Sequence, residues 1–159
     1  MTANSSHSVL FVCLGNICRS PLAEAVFRSK AQQAGISASV DSAGIINYHA
    51  GKRPDPRVLE VGQNNGYSFE NSYSRQVVTA DFNNFDYIFA MDTDNLEALI
   101  SLRPKASPAQ VGLFLSLVEH CDESEVPDPY YGGIDGFKHT LQLIEQASEA
   151  LVEYLREPK

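Results

Sequence analysis

Short apolar runs alternate with helical patterns along this chain, and that alternation limits the folds that it can adopt. The first run, residues 8–13, is apolar, β-branched and bounded by Gly15, as expected of a buried strand. A helix is predicted directly after it, with Ser20 as the N-cap, Pro21 at the first helical position and Gly35 at its end. Because alternating strands and helices of this length build parallel sheets, we expect a parallel sheet with helices on both faces.

The rest of the chain repeats this order. Further strands are predicted over residues 37–42, 86–91 and 111–115, and further helices over residues 56–65 and 92–101. Residues 45–56 and 121–133 carry several prolines and glycines and are predicted to be loops. The last segment has one apolar helical face, made of Leu141, Ile144, Ala147, Leu151 and Leu155. No repeat or linker divides the chain, so we predict one α/β domain over residues 1–159 with a four-stranded parallel sheet.

The charge balance excludes several classes of partner. Twelve Lys and Arg residues stand against 20 Asp and Glu residues, which gives a net charge of −8, and no basic run occurs. We therefore expect neither a nucleic acid nor a membrane surface as a partner, because both are recognised through a basic patch. An anionic ligand needs a local site instead. For a protein ligand, the net charge predicts that basic residues around the bound group help binding.

The sequence shows no segment that would direct the chain into or across a membrane. Residues 1–7 are polar and lack the basic start and apolar stretch of a signal peptide, and the longest apolar run, residues 9–14, is too short to cross a bilayer. Cys13, Cys18 and Cys121 are odd in number and sparse, which suits a reducing compartment better than a disulfide framework. We expect a soluble, cytoplasmic monomer.

Cys13 and Arg19 enclose five residues between the first strand and the first helix. Backbone N–H groups of a tight loop entering a helix point at one centre, so a phosphate is the expected ligand. Arg19 adds a planar cation that matches two phosphate oxygens. The positive potential of Arg19 and of the loop N–H groups also favours the thiolate of Cys13 over the thiol. By composition, Cys-x5-Arg followed by Ser or Thr is expected only about 0.02 times in such a chain. The alternative is a buried cysteine at a strand end with a capping arginine. A nucleotide-binding loop is excluded because the Lys-Ser/Thr ending is missing.

Six segments together resemble a known enzyme family. They are residues 9–24, 41–44, 54–57, 75–76, 86–92 and 128–132, in this order. The set is similar to the signature of the low-molecular-weight protein tyrosine phosphatases and covers nearly the whole chain. The resemblance implies a flavodoxin-like, phosphatase I-like fold and an enzyme that hydrolyses phosphotyrosine and small aryl phosphates. Tyrosine-phosphorylated proteins are then the expected substrates, with no cofactor.

The resemblance also implies a mechanism. Cys13 attacks phosphorus and forms a phosphocysteine intermediate, while Arg19 and the loop amides hold the phosphoryl oxygens. Asp128 gives a proton to the leaving phenolate and then activates the water that releases phosphate. Ser20 donates a hydrogen bond to the Cys13 sulfur and stabilises the thiolate. Since Arg19 balances the charge of the phosphoryl group, the mechanism needs no metal ion.

Further site residues follow from the same resemblance. Those expected to contact the substrate are Leu14, Gly15, Asn16, Ile17, Cys18, Ser20, Tyr48, Tyr130 and Tyr131. Those expected to support the loop are Asn16, Ser20 and Ser42. Tyr48 and Tyr130 are expected to wall the pocket and to stack on the substrate ring. Tyr131 is expected either to line the pocket beside them or to be a half-buried packing residue.

Two cysteines and one substitution leave alternatives open. Cys18 is either a redox partner that forms a reversible disulfide with Cys13 or a packing residue, and Cys121 is expected to pack. Many relatives carry a histidine three residues before the Arg-Gln pair, where this chain has Ser72. A shorter hydrogen bond from the serine, or a water, would have to replace the support that the histidine gives to the loop. The chain's own histidines, His7, His49, His120 and His139, fit no motif and are expected to be solvated or packed.

Four other functions are alternatives to phosphotyrosine hydrolysis. A flavodoxin-like binding module would not require Cys13 or Arg19. A protein arginine phosphatase resembles this chain but carries Thr where Ile17 stands. An arsenate reductase needs a relay pair of cysteines downstream, and none lies between Cys18 and Cys121. A non-catalytic phosphotyrosine-binding module would lose the thiol or the acid, whereas Cys13 and Asp128 are both present. Phosphotyrosine hydrolysis is therefore the favoured function.

Overall fold

Four parallel strands and five α-helices form the regular structure of the described residues. The structure is a computed structural model, and it describes residues 6–119, 121, 123–129 and 133–157. The strands are β1 His7–Cys13, β2 Ala38–Gly44, β3 Tyr87–Ala90 and β4 Gln110–Leu113, and the helices are α1 Arg19–Gln33, α2 Pro56–Asn64, α3 Asp81–Asn84, α4 Thr93–Leu102 and α5 Ile134–Arg156. All strands are parallel, in the order β2-β1-β3-β4. The predicted four-stranded parallel sheet is confirmed.

The central strand β1 is buried on both faces. Val9 and Phe11 face one core, to which α1, α2 and α5 contribute, whereas Leu10 and Val12 face a second core formed with α3 and α4. The Phe11 ring lies 5.9 Å from the ring of Phe27 in α1, centroid to centroid. A strand covered on both faces has no need for polar residues at alternate positions. This explains the continuous apolar run in the sequence. The prediction of helices on both faces is confirmed.

The carboxyl ends of three strands meet at one edge of the sheet. Cys13 is the last residue of β1 and pairs with Gly44, the last residue of β2. Asp92 lies two residues beyond Ala90, the end of β3. Open parallel sheets bind ligands beyond this edge, at the point where neighbouring connections diverge. The loop between β1 and α1 therefore lies at the position where the topology favours a binding site.

The start of α1 differs from the prediction. The helix begins at Arg19 with Cys18 as its N-cap, so the prediction that Ser20 caps it is wrong. The Ser20 hydroxyl oxygen lies instead 2.7 Å from Nδ2 of Asn16 and 3.0 Å from Sγ of Cys13. Because that hydroxyl is engaged within the loop, no side chain caps the N–H groups of the first helical turn. Uncapped N–H groups at a helix start favour an anion.

Two other boundaries also differ. Helix α3 is missing from the predicted elements, because four residues are too few to show a helical period. The strand predicted over residues 111–115 ends at Leu113, and a 3₁₀ turn, Phe114–Leu117, follows it. Asp55, which lies in a predicted loop, caps α2 by accepting a hydrogen bond from the backbone N–H of Arg57 at 2.8 Å.

Gly62 of α2 packs directly under a buried ring. A Cβ at this position would overlap Cε2 and Cζ of Phe69, which is 2% exposed. We expect Gly62→Ala to lower the free energy of unfolding by about 1–3 kcal/mol, because the ring has to move. Gly136→Ala in α5 is the matched control, since its Cβ would meet only Pro129, at 3.8 Å. Urea denaturation measures both, and a Gly62→Ala variant as stable as the control would contradict the close packing.

Candidate active site

Cys13 and Ser20 form a buried pair at the base of the loop. The Cys13 Sγ and Ser20 Oγ atoms are 3.0 Å apart, and both side chains are buried. Ser20 Oγ already accepts a hydrogen bond from Nδ2 of Asn16, so its own proton can point to the sulfur or to the carbonyl oxygen of Ala43, 3.4 Å away. The sulfur is the nearer acceptor. The hydroxyl is therefore placed to donate to a thiolate.

Asn16 fixes the turn of the loop. Its backbone φ of 58° lies in the left-handed region, which asparagine tolerates better than most residues. Its Nδ2 also donates to Ser42 Oγ at 3.0 Å, and its Oδ1 accepts from the backbone N–H of Arg75 at 3.0 Å. The buried amide is thus bonded to α1, to β2 and to the chain after α2. This geometry agrees with the supporting role expected of Asn16, Ser20 and Ser42.

Glu24 extends this network toward the surface, and sequence reasoning missed it. Ser42 Oγ donates to Glu24 Oε1 at 2.6 Å, and the Arg28 guanidinium donates to Glu24 Oε2 at 2.6 Å. The Arg28 guanidinium also donates to the carbonyl oxygen of Val40 in β2 at 2.8 Å. The sequence feature that could have indicated Glu24 is its position as a carboxylate within the apolar stretch 21–27. A buried carboxylate needs a hydrogen-bonding or ion-pairing partner.

Ser74 and the Arg75 amide contact the loop near the position of the missing family histidine. Ser74 Oγ donates to the carbonyl oxygen of Gly15 at 3.0 Å. Ser72 is buried, and its carbonyl oxygen accepts from the Arg53 guanidinium at 3.0 Å. In the described part of the chain, the Ser72 hydroxyl makes no hydrogen bond to the loop. The support therefore comes from residues two and three positions further along.

Arg19 is buried and held by three oxygens. Its Nη1 donates to Oδ2 of Asp92 at 2.7 Å and to the carbonyl oxygen of Val126 at 3.0 Å, and its Nη2 lies 3.6 Å from Oδ2 of Asp128. Burial by itself lowers the pKa of Arg19, but the neighbouring Cys13 and the two carboxylates outweigh burial, so this pKa is raised. The guanidinium stays charged and its plane is fixed, as binding two phosphoryl oxygens requires.

The sequence analysis did not identify Asp92 as a site residue. One carboxylate oxygen bonds Arg19, and the other caps α4 by accepting from the backbone N–H of Asn95 at 2.8 Å. Asp92 lies two residues after a buried strand and directly before a helix. Side chains at this position of a parallel sheet face its ligand edge, so the topology alone could have indicated it.

The segment that carries Asp128 is held against the connection between β3 and α4. The backbone N–H of Val126 donates to the carbonyl oxygen of Met91 at 2.8 Å, and Glu125 accepts from the backbone N–H of Thr93 at 2.7 Å. The Asp128 side chain is 42% exposed. Its carboxyl group therefore lies beside Arg19 and remains open to water and substrate.

A cavity of about 210 Å³ opens above the loop. It is lined by Cys13, Leu14, Gly15, Ile17, Cys18, Arg19, Ile46, Tyr48, His49 and Asp128. Asn16 and Ser20, which were expected to contact the substrate, lie outside this lining and behind the loop. Tyr130 and Tyr131 fall outside the described residues. His49 was expected to be solvated or packed, yet its ring lies beside Gly15 in the cavity wall, and no motif marked it or Ile46.

All three cysteines are free thiols, and Cys13 and Cys18 are buried. Burial raises the pKa of Cys18, and the nearby Asp55 and Cys13 raise it further. Cys18 therefore stays a thiol at neutral pH. Cys121 is half-buried and packs against the larger core, in agreement with the expectation for it.

The described residues contain neither a helix that could span a membrane nor a cluster of metal-binding side chains. None of the helices there has the length and apolarity that a membrane span requires. Within the same ranges, no three His, Cys, Asp or Glu side chains are grouped so that they could hold a metal ion.

The fold and the loop define a class of α/β phosphatases built on a Cys-x5-Arg loop, and comparisons with known proteins agree. The sequence model of the family described as "Low molecular weight phosphotyrosine protein phosphatase" matches residues 8–159. The phosphatase of that name from Schizosaccharomyces pombe is 52% identical over 141 residues, which is 86% of this chain and 90% of that protein.

Solved structures give the same result. A protein tyrosine phosphatase from Entamoeba histolytica, with Hepes in its active site, superposes with a TM-score of 0.89 at 44% identity, covering 94% of this chain and 96% of that one. A Drosophila arginine phosphatase superposes with a TM-score of 0.88 at 32% identity, covering 95% and 98%. This chain therefore belongs to the low molecular weight phosphotyrosine protein phosphatases and is a protein tyrosine phosphatase. The family predicted from the sequence is confirmed.

Proposed function

We propose that this protein hydrolyses phosphotyrosine through a phosphocysteine on Cys13. The thiolate attacks phosphorus and forms the S–P bond while the P–O bond to the phenol breaks, and Asp128 protonates the leaving oxygen. Asp128, now a carboxylate, takes a proton from a water that attacks phosphorus, and the S–P bond breaks. Arg19 and the loop N–H groups hold the phosphoryl oxygens in both steps.

One observation carries this proposal. Cys13, Arg19 and Asp128 line the same cavity, and the Ser20 hydroxyl lies 3.0 Å behind the sulfur. A nucleophile, a fixed cation and an exposed carboxyl group around one cavity are the groups that displacement at phosphorus requires. The Ser20 hydrogen bond stabilises the thiolate both as nucleophile and as leaving group.

The substrate is proposed to be a phosphotyrosine in a protein. Ile17 and Tyr48 give the cavity an apolar wall suited to a phenyl ring, with Leu14, Gly15 and Cys18 completing the loop face. Tyr130 and Tyr131 are proposed as further walls. Because a solved arginine phosphatase is similar to this chain, phosphoarginine is the alternative substrate to compare with phosphotyrosine.

We further propose a cytoplasmic monomer that acts on proteins and not on nucleic acids or membranes. The odd and sparse set of three cysteines and the net charge of −8 support the location and the class of partner. Disulfides are rare in a reducing compartment, and a strongly negative chain repels phosphate backbones and anionic lipids.

The test is hydrolysis in the presence of a chelator at mildly acidic pH. Para-nitrophenyl phosphate and a phosphotyrosine peptide are expected to be hydrolysed, and a matched phosphoarginine peptide much more slowly. Rapid quenching followed by mass spectrometry should place one phosphoryl group on Cys13. A protein that binds phosphate but hydrolyses none of these substrates would be a binding module, and a preference for phosphoarginine would make it an arginine phosphatase.

The pH dependence of kcat/KM provides a second check. Asp128 must carry a proton while Cys13 is ionised, so the profile is expected to be bell-shaped with an acidic optimum. Ser20→Ala removes the hydrogen bond to the sulfur and is expected to move the acidic limb to higher pH. Asp128→Asn is expected to flatten the alkaline limb. A wild-type profile that is flat from acid to mildly alkaline pH would contradict this assignment.

Cys18 is proposed as a redox partner of Cys13. Peroxide oxidises the Cys13 thiolate to a sulfenic acid, and the Cys18 sulfur then attacks it, forming the S–S bond and releasing water. Because the raised pKa keeps Cys18 protonated, closure is expected to accelerate with pH. Without Cys18, a second equivalent of peroxide oxidises the sulfenic acid to a sulfinic acid, which dithiothreitol does not reduce. After excess peroxide we therefore expect dithiothreitol to restore activity to the wild type and to Cys121→Ser, but not to Cys18→Ser. Full recovery of Cys18→Ser would leave Cys18 with a packing role only.

A further inference from the structure

Two segments beside the loop form one surface at the mouth of the cavity. The backbone N–H of Gly51 donates to the carbonyl oxygen of Ser74 at 2.8 Å. The backbone N–H of Ser74 in turn donates to the carbonyl oxygen of Lys52 at 2.8 Å. Ser74 also bonds Gly15 of the loop through its hydroxyl. We call residues 46–53 and 72–74 the rim. The rim is thus held directly against the loop that binds the phosphoryl group.

The rim and the loop expose much of the apolar surface of the molecule. Among the described residues, eight large hydrophobic side chains are exposed. Four of them lie here: Leu14, Ile46, Tyr48 and Tyr73. Tyr48 is 74% exposed and Tyr73 is 59% exposed. Exposed apolar side chains grouped around a cavity mark a surface that another molecule covers, and around this cavity that molecule is the chain carrying the phosphotyrosine.

The charge of the rim is opposite to that of the whole chain. Residues 42–54 and 71–80 contain no Asp or Glu, although the chain has 20 of them in 159 residues. Lys52 lies with Nζ 6.0 Å from the centre of the Tyr48 ring and takes part in no ion pair between described residues. The Arg53 guanidinium lies 5.6 Å from the centre of the Tyr73 ring and donates to the carbonyl oxygens of Phe69 and Ser72. Neither cation is therefore paired with a carboxylate of the described residues.

Four carboxylates flank these segments in the sequence. Asp55 pairs with Arg57 at 2.9 Å. Asp41 and Asp81 share Arg75, at 3.2 and 3.0 Å. Glu70 is exposed and is in no ion pair between described residues. The positive charge is therefore confined to the rim itself, where Lys52 and Arg53 meet no Asp or Glu of the same two segments.

We propose that the rim selects phosphotyrosine segments whose flanking residues are acidic. This inference rests on the proposed function and names its substrate class. Lys52 and Arg53 attract carboxylates beside the bound phosphotyrosine, while Tyr48 and Tyr73 cover the apolar parts of the same segment. The net charge of −8 predicts the reverse preference, for basic flanks. The local charges prevail, because charges more than about 8–10 Å away are screened at physiological ionic strength.

The experiment compares three phosphotyrosine peptides that differ only in their flanking residues: Glu, Gln or Lys. The wild type is expected to show kcat/KM about tenfold higher for the acidic than for the basic peptide at physiological ionic strength, about 0.15 M. This ratio should approach one in about 1 M salt. Lys52→Glu is expected to lower the ratio to about twofold or less, because it reverses one charge of the rim.

Lys105→Glu is the matched control. Lys105 is also exposed and lies between α4 and β4, at the amino ends of the strands, so its reversal changes the net charge equally but far from the cavity. We expect this variant to keep the wild-type ratio. A wild-type ratio of one or below, or an equal loss in both variants, would overturn the inference while leaving the proposed function intact. If no peptide and no para-nitrophenyl phosphate were hydrolysed, the proposed function would fail, and the inference with it.

Discussion

Cys13→Ser is expected to lower kcat for para-nitrophenyl phosphate by at least about 10⁴-fold. A serine hydroxyl keeps the size of the side chain but is not ionised at the working pH, so it neither attacks phosphorus nor leaves from it. The loop N–H groups, Arg19 and the Asn16 network remain in place. The variant is therefore expected to fold and still bind inorganic phosphate or vanadate.

Cys121→Ser serves as the control, because Cys121 is half-buried and lies outside the cavity lining. It is expected to retain activity within about twofold of the wild type. Initial rates and a thermal denaturation curve for each variant separate loss of chemistry from loss of fold. A Cys13→Ser enzyme that keeps a tenth of the wild-type rate would remove Cys13 from the role of nucleophile.

Asp128→Asn is expected to lower kcat by about 10²–10³-fold for phenyl phosphate and by much less for an aryl phosphate with an acidic leaving group. Phenolate is a poor leaving group and needs the proton, whereas a stabilised phenolate departs without it. Asparagine keeps the shape of the side chain and removes only the transferable proton and the charge.

The dependence of log kcat on the pKa of the leaving phenol is the measurement that isolates this role. The slope should be shallow for the wild type and steep for Asp128→Asn. Asp94→Asn is the control, since Asp94 is an exposed aspartate in the first turn of α4 and is not in the cavity lining. If Asp128→Asn slowed all leaving groups equally, Asp128 would act by holding Arg19 instead of by proton transfer.

Much of the fold could be predicted because β1 is buried on both faces. A strand of this kind shows as an uninterrupted apolar run, and the helices after it show a 3.6-residue period. Helix α3 has only four residues and gives no such period. The N-cap role predicted for Ser20 was wrong because serine suits both an N-cap and a loop hydrogen bond, and only the position of Asn16 decides between them.

The candidate site was predicted where its residues are adjacent in sequence or lie in a motif, as Cys13, Arg19 and Asp128 do. Glu24 and Asp92 were missed because their partners lie 18 and 73 residues away. His49 was missed for a different reason. Its place in the cavity wall depends on how the chain after β2 folds back over Gly15, and no local pattern encodes that path.

The two bonds of Asp92 connect the folding of a helix to the order of a catalytic cation. When the first turn of α4 opens transiently, the Asp92 carboxylate loses the Asn95 amide and is free to turn away from Arg19. Arg19 then keeps the Val126 carbonyl oxygen and Asp128 as its partners. An opening free energy of about 2.8 kcal/mol would leave roughly one molecule in a hundred in this state. Amide hydrogen exchange at Asn95 therefore reports on how often Arg19 can lose one of its three anchors.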